Sequence, residues 1–559
     1  MRSPTRTLLR PAELRWALSV GAALMVLTVL PYVYAWCLTP PGQQYLWLLY
    51  NPDEPNVHLS WIRQAADGQW LLRDACTTGP QQASFLNLFM LGLGRLARVT
   101  RLQPVFVYHL ARIVSGTALC VALYWFASLL TPRLEVRRLC LLLAGTASGL
   151  GWAAPWLNQG LGTVGLPLLN PPDFGMQLCM PEAITFLSLY LYPLFSTSML
   201  LLVLSLGLYL LSDRLGWMRY AVASGLVALL LGNFHTYDLF PLYLTLLLWC
   251  LYRLVETRRG GAAVLARAAV VVSCSAPSLV YQYWTFQHNA IFRAKALTVT
   301  APPPPRDLLA AYGFLVPLAL LGAWVAWRSR RQEARFATCW VVAAVSCLCL
   351  PVSFQRKMIE GLHLPVCFLA ALALGSWLPV VLNRRRWRGP VRRAANRVLW
   401  GFSLLAMVPS NVAFVGMTLQ LAATNNLTRA SVAQPPYYLG NDELAALRWL
   451  DAHSSNDAVV LSAPYAGSYI PGLSGNTVYA GHWAETLNFE TKLGAVGRFY
   501  AGRMSSTEAA DFLSAGRVQY VYYGAYERAL SQGVAPAYPF LTPLYPAEGT
   551  PLLYRVQLR

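Results

Sequence analysis

WALSVGAALMVLTVLPYVYAWCL, residues 16–38, runs for twenty-three residues without a charge. A helix of that length reaches across about 30 Å of hydrocarbon. Arg2, Arg6, Arg10 and Arg15 precede it, and no small-residue cleavage site follows, so it reads as a retained anchor and not a removed signal peptide. Similar runs recur at about Val105–Leu130, Leu139–Leu157, Ala183–Ser212, Ala221–Phe234, Leu239–Leu254, Ala262–Trp284, Leu308–Trp327, Phe336–Val352, Leu362–Leu382 and Val398–Gln420. Hydrocarbon offers the backbone no hydrogen-bond partner, so each run is expected to be a helix, about eleven in all.

Composition agrees with that reading. Of 559 residues, 56% are hydrophobic and 12% charged, about half the charged share of a soluble domain. The net charge of +20 does not mark a nucleic-acid binder. Arginines sit in short clusters between apolar runs, without the basic-aromatic arrays of such a surface. Lysine is confined to Lys295, Lys357 and Lys492, a bias that suggests a bacterial source with a GC-rich genome.

Orientation follows from the arginines. With the N-terminus cytoplasmic, the inner segments hold Arg133, Arg137 and Arg138; Arg214 and Arg219; Arg253, Arg258 and Arg259; Arg328, Arg330, Arg331 and Arg335; and seven arginines between Arg384 and Arg397. An odd number of spans then puts the C-terminal end outside. The expectation is a bacterial inner-membrane protein: a multi-pass domain over 1–420, with a long first outer loop at about 39–103, and an extracytoplasmic α/β domain over 421–559. In that tail Asp442–His453 and Thr507–Ala515 have helical spacing. Ala458–Ser462, Thr477–Ala480 and Val518–Tyr523 are β-branched or aromatic and bounded by turn residues, which predicts strands. Cys76 and Cys179 are the two cysteines in outer loops, and the spacing leaves open whether they pair.

Charged groups beside or within apolar runs are the best functional pointers. The loop segment NPDEPNVHLSWIRQAADGQWLLRD places adjacent Asp53 and Glu54 about fifteen residues past the first span. Such a pair can take a proton from an acceptor hydroxyl, or hold a divalent cation, Mg or Mn, against a phosphate; it can also be a solvated loop. The segment resembles the first-loop signature of GT-C membrane glycosyltransferases, a superfamily that includes protein O-mannosyltransferases and the transferases that add aminoarabinose to lipid A. The resemblance implies Asp53 as catalytic base or metal ligand, Glu54 as its neighbour, and a polyprenyl-phosphate sugar as donor. The segments VYHLARIVSG, PPDFGMQLCMPEAITFLSL, NFHTYDLFPLY, FQRKMIEGLHLPVCFLAALAL and YAGHWAETLNFETKLGAVGRFY extend the likeness along most of the chain, to large uncharacterised bacterial membrane proteins. One departure is visible: related sequences tend to place Pro-His after the Glu182 segment, and here the residues are Pro193 and Leu194.

The remaining candidates have two readings each. Asp173 and Glu182 offer a second pair of outer-loop acids, or a loop carboxylate and a helix-start Glu. His235 and Asp238 form a polar hairpin tip that borders a cavity or ties two helices together. Arg356, Lys357 and His363 put cations at the outer face, where they suit a lipid-linked phosphate or reach toward headgroups. Arg293 and Lys295 can meet a phosphate from the other long outer loop. His109 and Arg112, one turn apart, face the same cavity or contact headgroups. His482 and Glu485, beside Trp483, suit sugar recognition or the internal packing of the tail.

The sum is a membrane glycosyltransferase acting outside the cytoplasm on a glycan, lipid or protein acceptor. A flippase for a lipid-linked glycan and a non-catalytic envelope assembly protein are the alternatives. No Walker or Rossmann phosphate loop occurs, as expected where the donor is lipid-linked.

Overall fold

The computed structural model describes residues 8–153, 180–256, 261–329, 332–377, 389–425, 436–546 and 548–558. Asp173, Cys179, Arg258, Arg259, Arg330, Arg331 and the arginines at 384–388 lie outside the described residues. A helix occupies each of the eleven expected span positions. Among the described residues seven helices are long and apolar enough to cross a membrane on their own, or eight if the bent pair Pro305–Tyr312 and Leu315–Arg328 is one span. The chain is a multi-pass membrane protein.

Several expected spans are broken, each for a local reason. Within Leu139–Leu157 the α-helix Leu134–Thr146 ends where Ala147 turns extended, and Ser148 donates its N–H to Met407 O at 2.7 Å. Ala183–Ser212 splits into Thr185–Leu191 and Pro193–Leu215. Pro193 drives Tyr192 to φ −128°, ψ 114°, out of the helical region. The pair at Pro305–Arg328 bends by 83° around Gly313, whose φ of +47° suits glycine. A Cβ on Gly149 would lie 2.0 Å from Ala310 O, so only a glycine lets that backbone approach the bend.

Two compact units emerge. The first comprises Met1–Leu30, Leu110–Gln282 and Val299–Met417. At its centre lies His363–Leu372, buried at every residue. Gly322 faces the carbonyl of Leu369, where any side chain would collide, and such small-residue contacts let membrane helices pack backbone to backbone. Arg112 is buried here and donates to Thr28 Oγ1 at 2.8 Å and Leu189 O at 3.1 Å.

The second unit comprises Pro31–His109, Tyr283–Thr298 and Thr418–Arg559. Its sheet has the order β4-β3-β5-β7-β6, with β3 at Val459–Leu461, β4 at Thr477–Val478, β5 at Val518–Tyr522, β6 at Leu541–Tyr545 and β7 at Leu553–Val556. β4, β3 and β5 run parallel and are joined by helices Pro464–Ser474, Phe489–Tyr500 and Ser506–Ala515; β7 and β6 add antiparallel. Two apolar clusters form its cores: Val459 and Leu461 join one and Val460 the other, as strand alternation requires. The first-loop residues belong to this body. β1 at Gln43–Tyr45 pairs antiparallel with β2 at Tyr438–Gly440. Helix Asp53–Ala66 packs on helix Leu88–Thr100, where Gly94 meets Ala65, and on Pro464–Ser474, where Gly472 meets Leu59. Arg63 pairs with Asp451 and Arg73 with Asp457.

Candidate active site

The second unit holds seven of the sequence-predicted residues: Asp53, Glu54, His109, Arg293, Lys295, His482 and Glu485. Asp53 and Glu54 occupy the first turn of helix Asp53–Ala66, where unpaired backbone N–H groups favour carboxylates. The chain enters that turn through Trp47, Tyr50 and Asn51, all with positive φ. Non-glycine residues seldom hold this conformation, and it persists only where the surroundings fix it. Tyr437 OH accepts the N–H of Tyr50 at 2.8 Å, and His109 Nε2 meets Trp47 O at 2.7 Å. His109 therefore braces the approach to Asp53.

Asp53 is partly exposed, yet its Oδ1 is buried without a hydrogen-bond partner. Burial raises its carboxyl above the ordinary aspartate value; His482 and a hydrogen bond from Ser468 pull it back, and Glu54 pushes it up. His482 is buried, with Nε2 3.9 Å from Glu54 Oε1. Its Nδ1 accepts the N–H of Ala484 at 3.1 Å, so in the neutral ring the proton sits on Nε2, on the side of Glu54. Tyr465 and Tyr526, with ring centroids 5.3 Å apart, lie in electrostatic range of Asp53.

Behind this pair lies a buried ionic group. Lys295 bonds Glu485, and its ammonium rests 5.1 Å from the centre of the Trp61 ring. Burial opposes the charge on Lys295, but Glu485, with Glu54 and Asp74, outweighs it and the ammonium titrates above its usual range. Asp74, fully buried, is raised well above the ordinary value by burial and then by Glu485. Lys492 donates to Thr77 Oγ1 at 2.9 Å and to Tyr479 O at 2.8 Å, and burial lowers it to about 8. Arg293 does not join this group; its guanidinium caps the end of helix Gly261–His288 through the carbonyls of Phe286 and Gln287.

The first unit holds a different constellation. His235 ends helix Met218–Phe234, Asp238 closes the turn that follows, and Glu360 follows the turn Gln355–Ile359. His235 Nδ1 lies 3.1 Å from Asp238 Oδ2 and 3.3 Å from Glu360 Oε2. Ser198 donates to Glu360 Oε1. All three members are buried, Asp238 and Glu360 completely. Glu182 stands in electrostatic range of Glu360. Among the described residues this is the one group of three or more His, Cys, Asp or Glu side chains with metal-ligand spacing. Lys357 rests 4.8 Å from the centre of the Tyr237 ring, and Arg356 Nε is buried without a hydrogen-bond partner. His363 is enclosed elsewhere, with Nδ1 3.0 Å from Thr185 Oγ1 and its ring stacked on Tyr312. Arg112 is likewise consumed by internal hydrogen bonds.

Sequence reasoning missed Ser468, Tyr465 and Tyr526 near Asp53, Asp74 beside Glu485 and Lys295, and Ser198 beside Glu360; it placed Glu360 at the outer face with Arg356, Lys357 and His363 but did not join it to His235. Glu360 stood out in the sequence as an acid at the edge of an apolar run. The others are ordinary loop or helix residues made neighbours by folding.

The fold is shared with solved membrane glycosyltransferases. It is similar to oligosaccharyltransferase AglB from Archaeoglobus fulgidus, in complex with an inhibitory peptide and a dolichol-phosphate, at 14% identity over 90% of this chain and 69% of that one, TM-score 0.54. It is similar also to arabinofuranosyltransferase AftD from Mycobacteria, in a mutant form, at 17% identity over 98% of this chain and 42% of that one, TM-score 0.55. No curated protein sequence matches the chain. Residues 179–556 match the family of unknown function DUF6541, and the chain belongs to that family.

Proposed function

We propose that the protein is a membrane glycosyltransferase that moves a sugar from a polyprenyl-phosphate carrier to an acceptor hydroxyl or amine at the extracytoplasmic face of a bacterial inner membrane. The observation that carries this reading is Asp53, a first-loop carboxylate on a GT-C-like fold, fixed at a helix start with one buried oxygen free of hydrogen bonds. Its raised pKa makes it a better base than an exposed aspartate. Asp53 takes the acceptor proton as the acceptor oxygen or nitrogen bonds the anomeric carbon. The bond from that carbon to the carrier phosphate breaks, and the phosphate leaves with the electron pair. Glu54 and His482 hold the local charge, and Lys295 with Glu485 secures the segment that carries His482.

Arg356 and Lys357 are the proposed ligands of a carrier phosphate, since neither pairs with a carboxylate among the described residues. The dolichol-phosphate bound by AglB supports a lipid-linked donor. In this reading the N-terminus is cytoplasmic and the 421–559 region extracytoplasmic.

The test is genetic and chemical. The gene is deleted in its native host, envelope glycans and glycolipids are compared by mass spectrometry, and wild type or Asp53→Asn is restored at matched membrane abundance. One sugar increment is expected to vanish and to return only with wild type. Full rescue by Asp53→Asn would overturn the base assignment and favour transport or scaffolding.

A further inference from the structure

The His235, Asp238 and Glu360 group leaves an electrostatic problem unsolved. Two carboxylates are completely buried within reach of one imidazole. Among the described residues no lysine or arginine pairs with either of them: the ion contacts of Asp238 and Glu360 are both to His235. The ammonium of Lys357, three residues before Glu360, lies over the Tyr237 ring. Among the described residues Glu360 Oε2 is buried without a hydrogen bond, and Asp238 has only His235 and Ser198 as polar neighbours. Buried charge is costly unless it is paired or coordinates a metal.

The spacing supplies the second, independent observation. Metal bonds of about 2.0–2.2 Å to nitrogen and oxygen put neighbouring ligand atoms about 3 Å apart. The contacts from His235 Nδ1 are 3.1 and 3.3 Å, and all three ligand atoms lie within 4.8 Å of one another. Ser198, bonded to the other oxygen of Glu360, fixes that carboxylate from behind, as outer partners of metal ligands commonly do.

We infer that His235, Asp238 and Glu360 bind a divalent transition-metal cation of the zinc class. The ligand set separates the candidates. Calcium takes six to eight oxygens, and magnesium keeps several waters and avoids closed protein cages. One imidazole with two carboxylates suits zinc and its neighbours. Ligands from two separated stretches of the first unit would be clamped together by the ion. The inference does not depend on Asp53 or on glycosyl transfer.

The experiment is metal analysis of the purified full-length protein in detergent. The protein is stripped with chelator, incubated with Zn²⁺ or Mg²⁺, freed of excess ion and assayed by elemental mass spectrometry. About one equivalent of zinc per chain is expected for wild type and for Asp53→Asn, with no retained magnesium. Less than a tenth of that is expected for Glu360→Gln and Asp238→Asn. If those variants fold poorly, the wild type decides by melting: zinc added to the stripped protein should raise its melting temperature, and magnesium should not. Wild type that retains no zinc and shows no shift would overturn the inference, leaving a cluster neutralised by protons. Variants that fold and retain zinc like wild type would overturn the ligand assignment. Because Asp53→Asn is expected to keep its metal, failure here and failure of the transferase reading are separable.

Discussion

The two acid clusters solve one problem in opposite ways. In the second unit, the buried carboxylates of Glu485 and Asp74 have a lysine of their own, Lys295, and Glu54 has His482. In the first unit, among the described residues, the ion contacts of Asp238 and Glu360 are to His235 alone. A cluster that carries its own cation is complete as folded. One that lacks it calls for a cation from outside. The contrast separates a region suited to holding a base in place from one suited to holding a ligand.

The largest effect that sharpens this comparison is on chemistry. Asp53→Asn removes the proposed base, and general-base groups typically contribute 10²–10⁴-fold. Transfer measured on membranes of matched abundance should fall by about 100-fold or more, with the melting temperature little changed. Activity above half of wild type would break the assignment.

Next comes stability. Lys295→Met strands Glu485 and Asp74 without their cation, and breaking a buried pair costs roughly 3 kcal/mol. Thermal unfolding of the full-length protein should show a clear fall, and the double variant Lys295→Met with Glu485→Leu should recover part of it. In the other cluster the sign reverses. Glu360→Gln in metal-free protein removes a like charge, so its melting temperature should equal or exceed that of metal-free wild type. If both substitutions destabilise alike, the two clusters are not different in kind.

A smaller effect is expected in the pH profile. Transfer should decline as pH falls through the raised pKa of Asp53, because the base must be ionised. His482→Gln removes a favourable interaction and should move that acid limb to higher pH. Glu54→Gln removes a repulsion and should move it lower. Equal profiles in all three proteins would show that another group sets the limb.

The smallest is linkage in the tail. Burial raises Glu527 to about 8, although Ala463 and Gly524 donate their backbone N–H groups to it. The folded chain thus keeps a proton that the unfolded chain releases near 4.5, so this group's contribution to stability is full below 4.5 and is lost as pH rises to about 8. Melting temperature against pH should decline less steeply over that window in Glu527→Gln.

Much of this was legible in the chain. Helices stand at all eleven apolar runs, and the strands and helices anticipated in the tail appear as β3, β4, β5, Asn441–His453 and Ser506–Ala515. β6 and β7 went unread because Pro543 and Arg555 interrupt their apolar pattern. Helix Pro464–Ser474, with two glycines and two prolines, has no helical signature; its packing against Asp53–Ala66 holds it. Of the proposed site, Asp53 and Glu54 stand in a local motif that the sequence shows. His482 could be suspected but not placed, since 428 residues separate it from Glu54.

The sequence by itself determined that this protein crosses a membrane repeatedly and which carboxylates stand beside its first span. Apolar length and helix-start charge are local properties, read one segment at a time. Only the tertiary structure decided which charges cancel. Lys295, an outer-loop cation by sequence, is spent on Glu485, while Glu360 meets His235 and Asp238 with no lysine or arginine paired to it among the described residues. Electrostatic energy depends on distance and burial, and neither exists until separate segments are packed together.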